Sequence, residues 1–403
     1  MTLIEPIVTA APGIASLRRD LHAHPELAYE EVRTAELVAS TLAGWGIPVH
    51  RGIGRTGVVG VLRQGRSDRA IGLRADMDAL PMTEHNRFAH ASRHPGRMHA
   101  CGHDGHTAML LAAAQHLARH RHFDGTVYLV FQPAEEGGGG ARAMMEDGLF
   151  ERFPMDEIYG MHNWPGIPAG QFGLCDGPCM ASSNEFRIRI TGKGAHAALP
   201  HLGIDPVPVA CQMVQAFQTI ITRNRKPLDA AVISVTMIHA GEVTNVIPDH
   251  CEVQGTVRTF STAVLDLIEQ RMRDIAHHTG AAFGAEIEFE FVRNYPPTVN
   301  HPRETELVRE VMHDLVGHEA TLRFEPTMGA EDFSFFLQAR PGAYFFIGNG
   351  DGDHRQDDSP AGHDLGPCTL HNPHYDFNDD LIPLGGSFWV RLVERCLAPT
   401  SPC

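Results

Sequence analysis

Apolar residues recur along the first part of the chain with helical spacing. Between residues 12 and 43, Ile14, Leu17 and Leu21 share one face, and Val32, Ala35, Val38 and Leu42 repeat the pattern before Gly44. Pro12 suits the first turn of the earlier helix, where a missing N–H costs little, and Gly44 suits the end of the later one. Short apolar runs follow: "VVGVL", "AIGLRA", "TVYLVFQ" and "EIYGMH" read as buried strands, with "HTAMLLAAAQHLARH" and "GARAMMEDGLF" helical between them. That alternation predicts an α/β sheet covered by helices on both faces.

From about Asn184 the period shortens to two. "EFRIRIT" alternates apolar and charged residues, and "AEIEFEFV" sets Ile287, Phe289 and Phe291 against Glu286, Glu288 and Glu290, as in a strand with one wet face. Between them come a helix (Val209, Met213, Phe217, Ile220), strands "AVISVTMI" and "HCEVQGTVRTF", and a second helix (Leu265, Ile268, Met272, Ile275). The order β-α-β-β-α-β is that of a ferredoxin-like α+β unit. We therefore expect residues 184–297 to form an inserted domain, and residues 1–183 and 298–403 to form the larger one, resumed by helix "ETELVREVMHDLV" and strand "AYFFIG".

Bulk properties narrow the class. A length of 403 residues calls for two domains, and 43% hydrophobic with 20% charged residues describes a globular chain. A formal net charge of -16 argues against a nucleic-acid surface and against an anionic membrane face. No 18-residue apolar stretch occurs and the start lacks a basic leader, so a cytoplasmic location is expected. Eight cysteines are too sparse for a disulfide scaffold, and "CDGPC" (Cys175, Cys179) has no second pair at zinc spacing, so both read as reduced loop thiols. Among 26 histidines, those of "ARHRHF" read as solvated surface.

Chemistry-bearing residues gather where strands end, the edge at which α/β sheets bind ligands. "LRADMDALP" carries Asp76 and Asp78; "MHACGHDGH" carries Cys101, His103, Asp104 and His106; "VFQPAEEGGGGA" carries Glu135 and Glu136; "GMHNWP" carries His162; "LHNPHYDFND" carries His371 and His374. Thiol, imidazole and carboxylate together suit zinc or another divalent first-row ion. The glycine between Cys101 and His103 frees the backbone for both side chains to turn inward. No Lys-Ser/Thr follows the four glycines, so that loop does not hold phosphate.

Taken with "LHAHPELAYEE", "GKGAHAALP", "NVIPD", "GTVRTF" and "MGAEDFSFF", these segments resemble, in order and over nearly the whole chain, the M20 metallopeptidase superfamily. The nearest group is the amidohydrolases that include hippurate hydrolase, N-acyl-amino-acid aminoacylases and plant auxin-conjugate hydrolases. The resemblance implies a zinc-exopeptidase-like fold and two divalent ions per subunit (zinc or manganese, with nickel or cobalt also compatible), bridged by a water. Their ligands would be Cys101, His103, Glu136, His162 and His371. Glu135 would be the general base, His196 the donor to the carbonyl oxygen, and Asp78 the residue that orients a ligand. Asn245 and Arg258 would bind the substrate carboxylate. Asp76 stays outside the ligand set, and Asp104, His106 and His374 are supporting or surface residues. The implied reaction is hydrolysis of an N-acyl amino acid, with a related amide such as a dipeptide or another amino-acid conjugate as the alternative, and the implied assembly is a homodimer through the inserted domain.

Two other readings of the same residues stand beside this one. Cys101 can act as a nucleophile with His103 or His106 as base, or the chain can bind a metal or ligand without catalysis. The segment 350–370 is longer and more acidic than the resemblance leads one to expect.

Overall fold

The structure is a computed structural model that describes residues 2–355 and 369–399; most of the acidic 350–370 segment lies outside the described residues. The chain divides into two compact units, one comprising Met1–Gly177, Asn300–Glu325 and Phe335–Cys403, the other Pro178–Val299 and Pro326–Ser334. The second unit takes in 326–334 because Ala181 N–H bonds to the Thr327 and Gly329 carbonyls and Thr327 N–H to the Cys179 carbonyl.

The larger unit is built on an eight-stranded mixed sheet. Its strands, in spatial order, are Val49–Ile53, Gly57–Gln64, Gly125–Gln132, Ala70–Asp76, Glu157–Pro165, Gly342–Gly350, Phe172–Leu174 and Thr321–Arg323. The four from Gly125–Gln132 to Gly342–Gly350 run parallel, so their carboxyl ends share one edge. Ala70–Asp76 and Gly125–Gln132 are buried along their whole length, as their unbroken apolar sequences require. Helices Glu5–Ala23, His103–Arg119 and Leu381–Cys396 pack together on the sheet, burying Ile14, Leu110, Leu111, Phe388 and Trp389 in one core with Phe131, Tyr159 and Phe345 from the strands.

Pro12 is not in a first helical turn. It lies inside helix Glu5–Ala23, whose first turn holds Pro6. Burial of Ile4 and Ile7 with Ile14 draws the helix start back, and that packing outweighs the hydrogen bond that Pro12 forfeits. Helix Val32–Gly44 begins where the Glu26 carboxylate accepts the Arg33 and Thr34 N–H groups at 3.0 and 2.8 Å.

The smaller unit has the predicted ferredoxin-like order. Strand Ser183–Thr191, helix Pro206–Thr219, strands Ala231–His239 and His250–Thr259, helix Thr262–Phe283 and strand Glu286–Tyr295 follow one another. The sheet is antiparallel, with Ser183–Thr191 and His250–Thr259 at its centre. Phe186, Ile188 and Ile190 point into a core shared with Val209, Met213, Phe217, Ile268 and Met272, while Glu185, Arg187 and Arg189 face solvent.

Candidate metal centre

The parallel edge of the large sheet collects the candidate groups. Asp76 ends one central strand and Asp78 follows two residues later; Glu135 and Glu136 follow the end of a second; His162 sits within a third. Cys101 and His103 flank Gly102, which opens helix His103–Arg119. Gly102 has φ 88°. A Cβ there would stand 2.3 Å from Asn163 Nδ2 and 2.4 Å from the Tyr375 hydroxyl, so only glycine lets the helix start this close to its neighbours. His371 arrives from the far end of the chain in a left-handed conformation, φ 65°, and its N–H is held by the Ala100 carbonyl at 2.8 Å.

Side-chain donor atoms converge in three overlapping groups whose members lie within 4.8 Å of one another: Cys101, His103 and His162; Cys101, Glu136 and His371; His103, Glu135 and Glu136. Cys101 Sγ is 3.4 Å from His162 Nε2, and Glu136 Oε1 is 3.1 Å from His371 Nε2. His103 Nε2 and Glu136 Oε1 are nevertheless buried without a hydrogen-bond partner among the described residues. Thiol, imidazole and carboxylate atoms gathered within reach of one another, two of them with no hydrogen-bond partner among the described residues, fit a cation of the thiolate- and imidazole-binding kind.

The ring nitrogens facing away from this point are engaged. Asp78 Oδ1 lies 3.2 Å from His103 Nδ1 while Asp78 Oδ2 accepts the Glu136 N–H at 2.9 Å, so one carboxylate aims two candidate ligands. His162 Nδ1 donates to the Asn163 carbonyl at 2.6 Å, leaving Nε2 toward Cys101. His106 is fully used: Nδ1 donates to Asp76 Oδ1 at 2.6 Å and Nε2 accepts the Asn163 N–H at 3.0 Å. Asp76 also accepts from Arg74 at 2.6 Å. His106 therefore has no vacant ring nitrogen toward the cluster, whereas Asp76 Oδ2, bound to Arg74, also lies 3.7 Å from His103 Nε2. His374 is half-buried, its N–H bonded to Asn372 Oδ1.

The electrostatics follow from burial and from crowded carboxylates. Burial disfavours the His103 imidazolium, but Asp76 and Asp78 outweigh it and lift the ring to about 10. Burial lowers His162 well below the usual histidine range. Burial, then Glu136, Glu135 and Asp76, push the Cys101 thiol well up. Without a cation the cysteine is a protonated thiol.

Sequence reasoning passed over two supporting residues. Asn163 bonds the Cys101 carbonyl at 2.7 Å and accepts the Tyr375 hydroxyl at 2.6 Å. Glu31 accepts the Ala134 N–H at 2.8 Å and the Thr56 hydroxyl at 2.6 Å, and burial raises its carboxyl to about 7. Both lie inside quoted segments, "MHNWPG" and "LHAHPELAYEE", whose other residues drew the attention.

In the smaller unit, His196 and Asn245 meet. His196 lies on the short strand Ala195–His196, paired with Val246–Ile247, and the Asn245 carbonyl accepts the Ala197 N–H at 3.0 Å. His196 is exposed, with Nδ1 accepting the Ala198 N–H at 3.0 Å. Arg258 is half-buried on strand His250–Thr259, where burial lowers its pKa. Glu331 and Asp332 are buried there too. Cys175 and Cys179 are buried free cysteines. No helix among the described residues is long and apolar enough to cross a membrane.

With this geometry in hand, comparison with known proteins is specific. Residues 72–395 match the peptidase family M20/M25/M40. The chain is 39% identical to hippurate hydrolase of Campylobacter jejuni over 98% of its own length and 100% of that protein's. It is 41% identical to the N-acetyl-L-cysteine deacetylase of Bacillus subtilis, covering 96% and 89% of the two chains. A Bacillus subtilis crystal structure described as a dinuclear metal-binding peptidase of the M20 family superposes with a TM-score of 0.82 at 32% identity, over 97% of this chain and 99% of that one. This chain thus belongs to the M20/M25/M40 peptidase family and is an amidohydrolase of its M20 branch.

Proposed function

We propose that the protein hydrolyses the amide bond of N-acyl amino acids, releasing a carboxylic acid and a free amino acid. The observation that carries this reading is the convergence of Cys101, His103, Glu136, His162 and His371 with two buried, unpartnered donor atoms, next to Glu135. These five side chains would hold two divalent ions. When bound, such ions lower the pKa of a water and polarise an amide carbonyl.

The chain's own groups supply the rest. Glu135 takes a proton from the attacking water and delivers it to the departing amine nitrogen, so water and amide become acid and amine with no proton lost. Asp78 keeps His103 Nε2 and Glu136 aimed at a common point. His196 donates to the carbonyl oxygen as charge grows there, and Asn245 with Arg258 receives the substrate carboxylate. A homodimer through residues 184–297 and a cytoplasmic setting belong to the same reading. The relatives act on hippurate and N-acetyl-L-cysteine by their names, which supports an acylated amino acid as the substrate class.

A cysteine nucleophile is disfavoured by the environment of Cys101. Reactive thiols sit in positive surroundings that lower their pKa, whereas burial and three carboxylates raise this one. Metal-stripped protein, refilled with one ion at a time and assayed on N-benzoyl and N-acetyl amino acids, tests the proposal. Glu135→Gln should cost about 10²–10⁴ in kcat. Parent-level turnover by that variant, or full activity without metal, would falsify the mechanism.

A further inference from the structure

Glu135 and Glu136 are adjacent, yet the proposed chemistry gives them different tasks. Two adjacent carboxylates that come within 4.8 Å of each other keep separate positions only if the backbone between them is held, and here it is held from both sides. Before Glu135, the Ala134 N–H is bound by Glu31 Oε1 at 2.8 Å; after it, the Glu136 N–H is bound by Asp78 Oδ2 at 2.9 Å. Ala134 has φ 54°, a left-handed conformation that an L-residue adopts only under constraint. Gly140 N–H closes the loop onto the Ala134 carbonyl at 3.0 Å, and a Cβ on Gly140 would fall 1.6 Å from the Pro133 carbonyl oxygen.

The constraint comes from two further strained segments. Among the described residues, four non-glycine residues have positive φ: Tyr29, Arg55, Ala134 and His371. The first three are joined in one device. The Tyr29 hydroxyl donates to the Gly138 carbonyl at 2.8 Å, the Arg55 guanidinium lies 4.1 Å over the Tyr29 ring, and Thr56 donates to the same Glu31 carboxylate that holds Ala134. Glu31 is fully buried, so its carboxylate has few alternatives to these bonds. Strain collected at one loop by residues distant in sequence is a sign of preorganisation.

We propose that Glu31 and Tyr29, braced by Arg55 and Thr56, are positioning residues that aim the Glu135 carboxylate, acting on proton transfer and not on metal retention. The proposal rests on the general-base role given to Glu135 above. The contacts support this division: Asp78 reaches His103 and the Glu136 N–H, whereas Glu31 holds the Ala134 N–H and the Thr56 hydroxyl, and Tyr29 holds the Gly138 carbonyl.

The test uses the full-length protein with Glu31→Ala, Glu31→Gln and Tyr29→Phe, the last removing one hydroxyl without opening a cavity. Three quantities are read: kcat and KM of the manganese-loaded enzyme on N-benzoylglycine, manganese affinity by calorimetry, and amide hydrogen exchange of the 130–141 segment in metal-free protein. Glu31→Ala should lower kcat about 100-fold, the cost of an ångström-scale misplacement, with KM and metal affinity within about two-fold of the parent. Exchange at 134–138 should accelerate in parallel. Tyr29→Phe should lose about five-fold in kcat, one hydrogen bond's worth. Glu31→Gln should recover most of the loss, because its amide oxygen still accepts the Ala134 N–H. Accelerated exchange with unchanged kcat overturns the proposal, as does a Glu31→Ala defect erased by excess manganese. Full kcat in Glu31→Ala beside an inactive Glu135→Gln overturns the positioning role alone; an active Glu135→Gln overturns the base reading and this proposal with it.

Discussion

His103 and Asp104 are neighbours at the start of one helix, yet they face two opposite kinds of buried polar cluster. On the Asp104 side, cations face carboxylates: Arg18 reaches Asp104 at 3.2 Å, Asp376 at 2.8 Å and Asp379 at 2.7 Å, and His22 bridges Asp104 at 2.8 Å and Glu84 at 3.2 Å, while Asp104 Oδ1 has no hydrogen-bond partner among the described residues. On the His103 side, thiol, imidazole and carboxylate atoms converge, and His103 Nε2 and Glu136 Oε1 have no hydrogen-bond partner among the described residues. The first cluster ties helix Glu5–Ala23, the start of helix His103–Arg119 and the 376–379 segment into one body. The second is complete only when a cation enters. Burial alone does not distinguish a stabilising network from a binding site; what each group faces does, carboxylates around an arginine in the first and metal-binding atoms turned toward one another in the second.

The sharpest way to break this comparison is metal removal. Chelation should abolish hydrolysis, and refilling with zinc or manganese should restore it, while far-ultraviolet circular dichroism of the stripped protein stays that of the parent. Arg18→Met comes next: it removes the guanidinium shared by Asp104, Asp376 and Asp379, and should cost about 3–5 kcal/mol in urea unfolding of the metal-free protein. Should that variant fail to fold, Asp379→Asn gives a milder form of the same measurement. Asp78→Asn should weigh the other way, lowering metal affinity about 10–100-fold by competition calorimetry with a smaller loss of metal-free stability than Arg18→Met, because Asp76 still faces His103. Equal effects of Arg18→Met and Asp78→Asn on both quantities would erase the distinction.

The smallest effect is a pH dependence. Burial disfavours the His22 imidazolium, but Asp104 and Glu84 outweigh it and raise the ring to about 10. An unfolded histidine titrates near ~6.5, so the stability His22 contributes is whole below that pH and drains away as pH rises toward about 10. The difference in unfolding free energy between the parent and His22→Gln should therefore shrink from pH 6.5 to pH 9.5. A flat difference would mean that His22 is not cationic in the fold.

Much of the fold was legible because local period encodes burial. Unbroken apolar runs became the fully buried strands Ala70–Asp76 and Gly125–Gln132, and alternation became Ser183–Thr191 with one wet face. Helix Leu381–Cys396 was harder to see because Gly385 and Gly386 interrupt its pattern. A Cβ on Gly385 would lie 2.1 Å from Met109 Sδ, so the glycine serves close helix packing and not a turn. Pro12 misled for a related reason, since its helix begins where tertiary burial of Ile4 and Ile7 requires. In the candidate site, residue types announced the chemistry, but Glu31 and Asn163 act through backbone atoms of other segments. Nothing in their own sequence neighbourhoods shows those partners.

The sequence by itself determined which donors the chain carries and the two periodicities that build its sheets, because side-chain chemistry and local burial are properties of neighbouring residues. Only the tertiary structure decided that Gln132, Asp76 and His162 stand on adjacent strands, that residues 101 and 371 meet, and which nitrogen of each histidine is already bonded. Those outcomes depend on strand order and on contacts between segments far apart in the chain, where direction and distance, which no local pattern carries, select the partner.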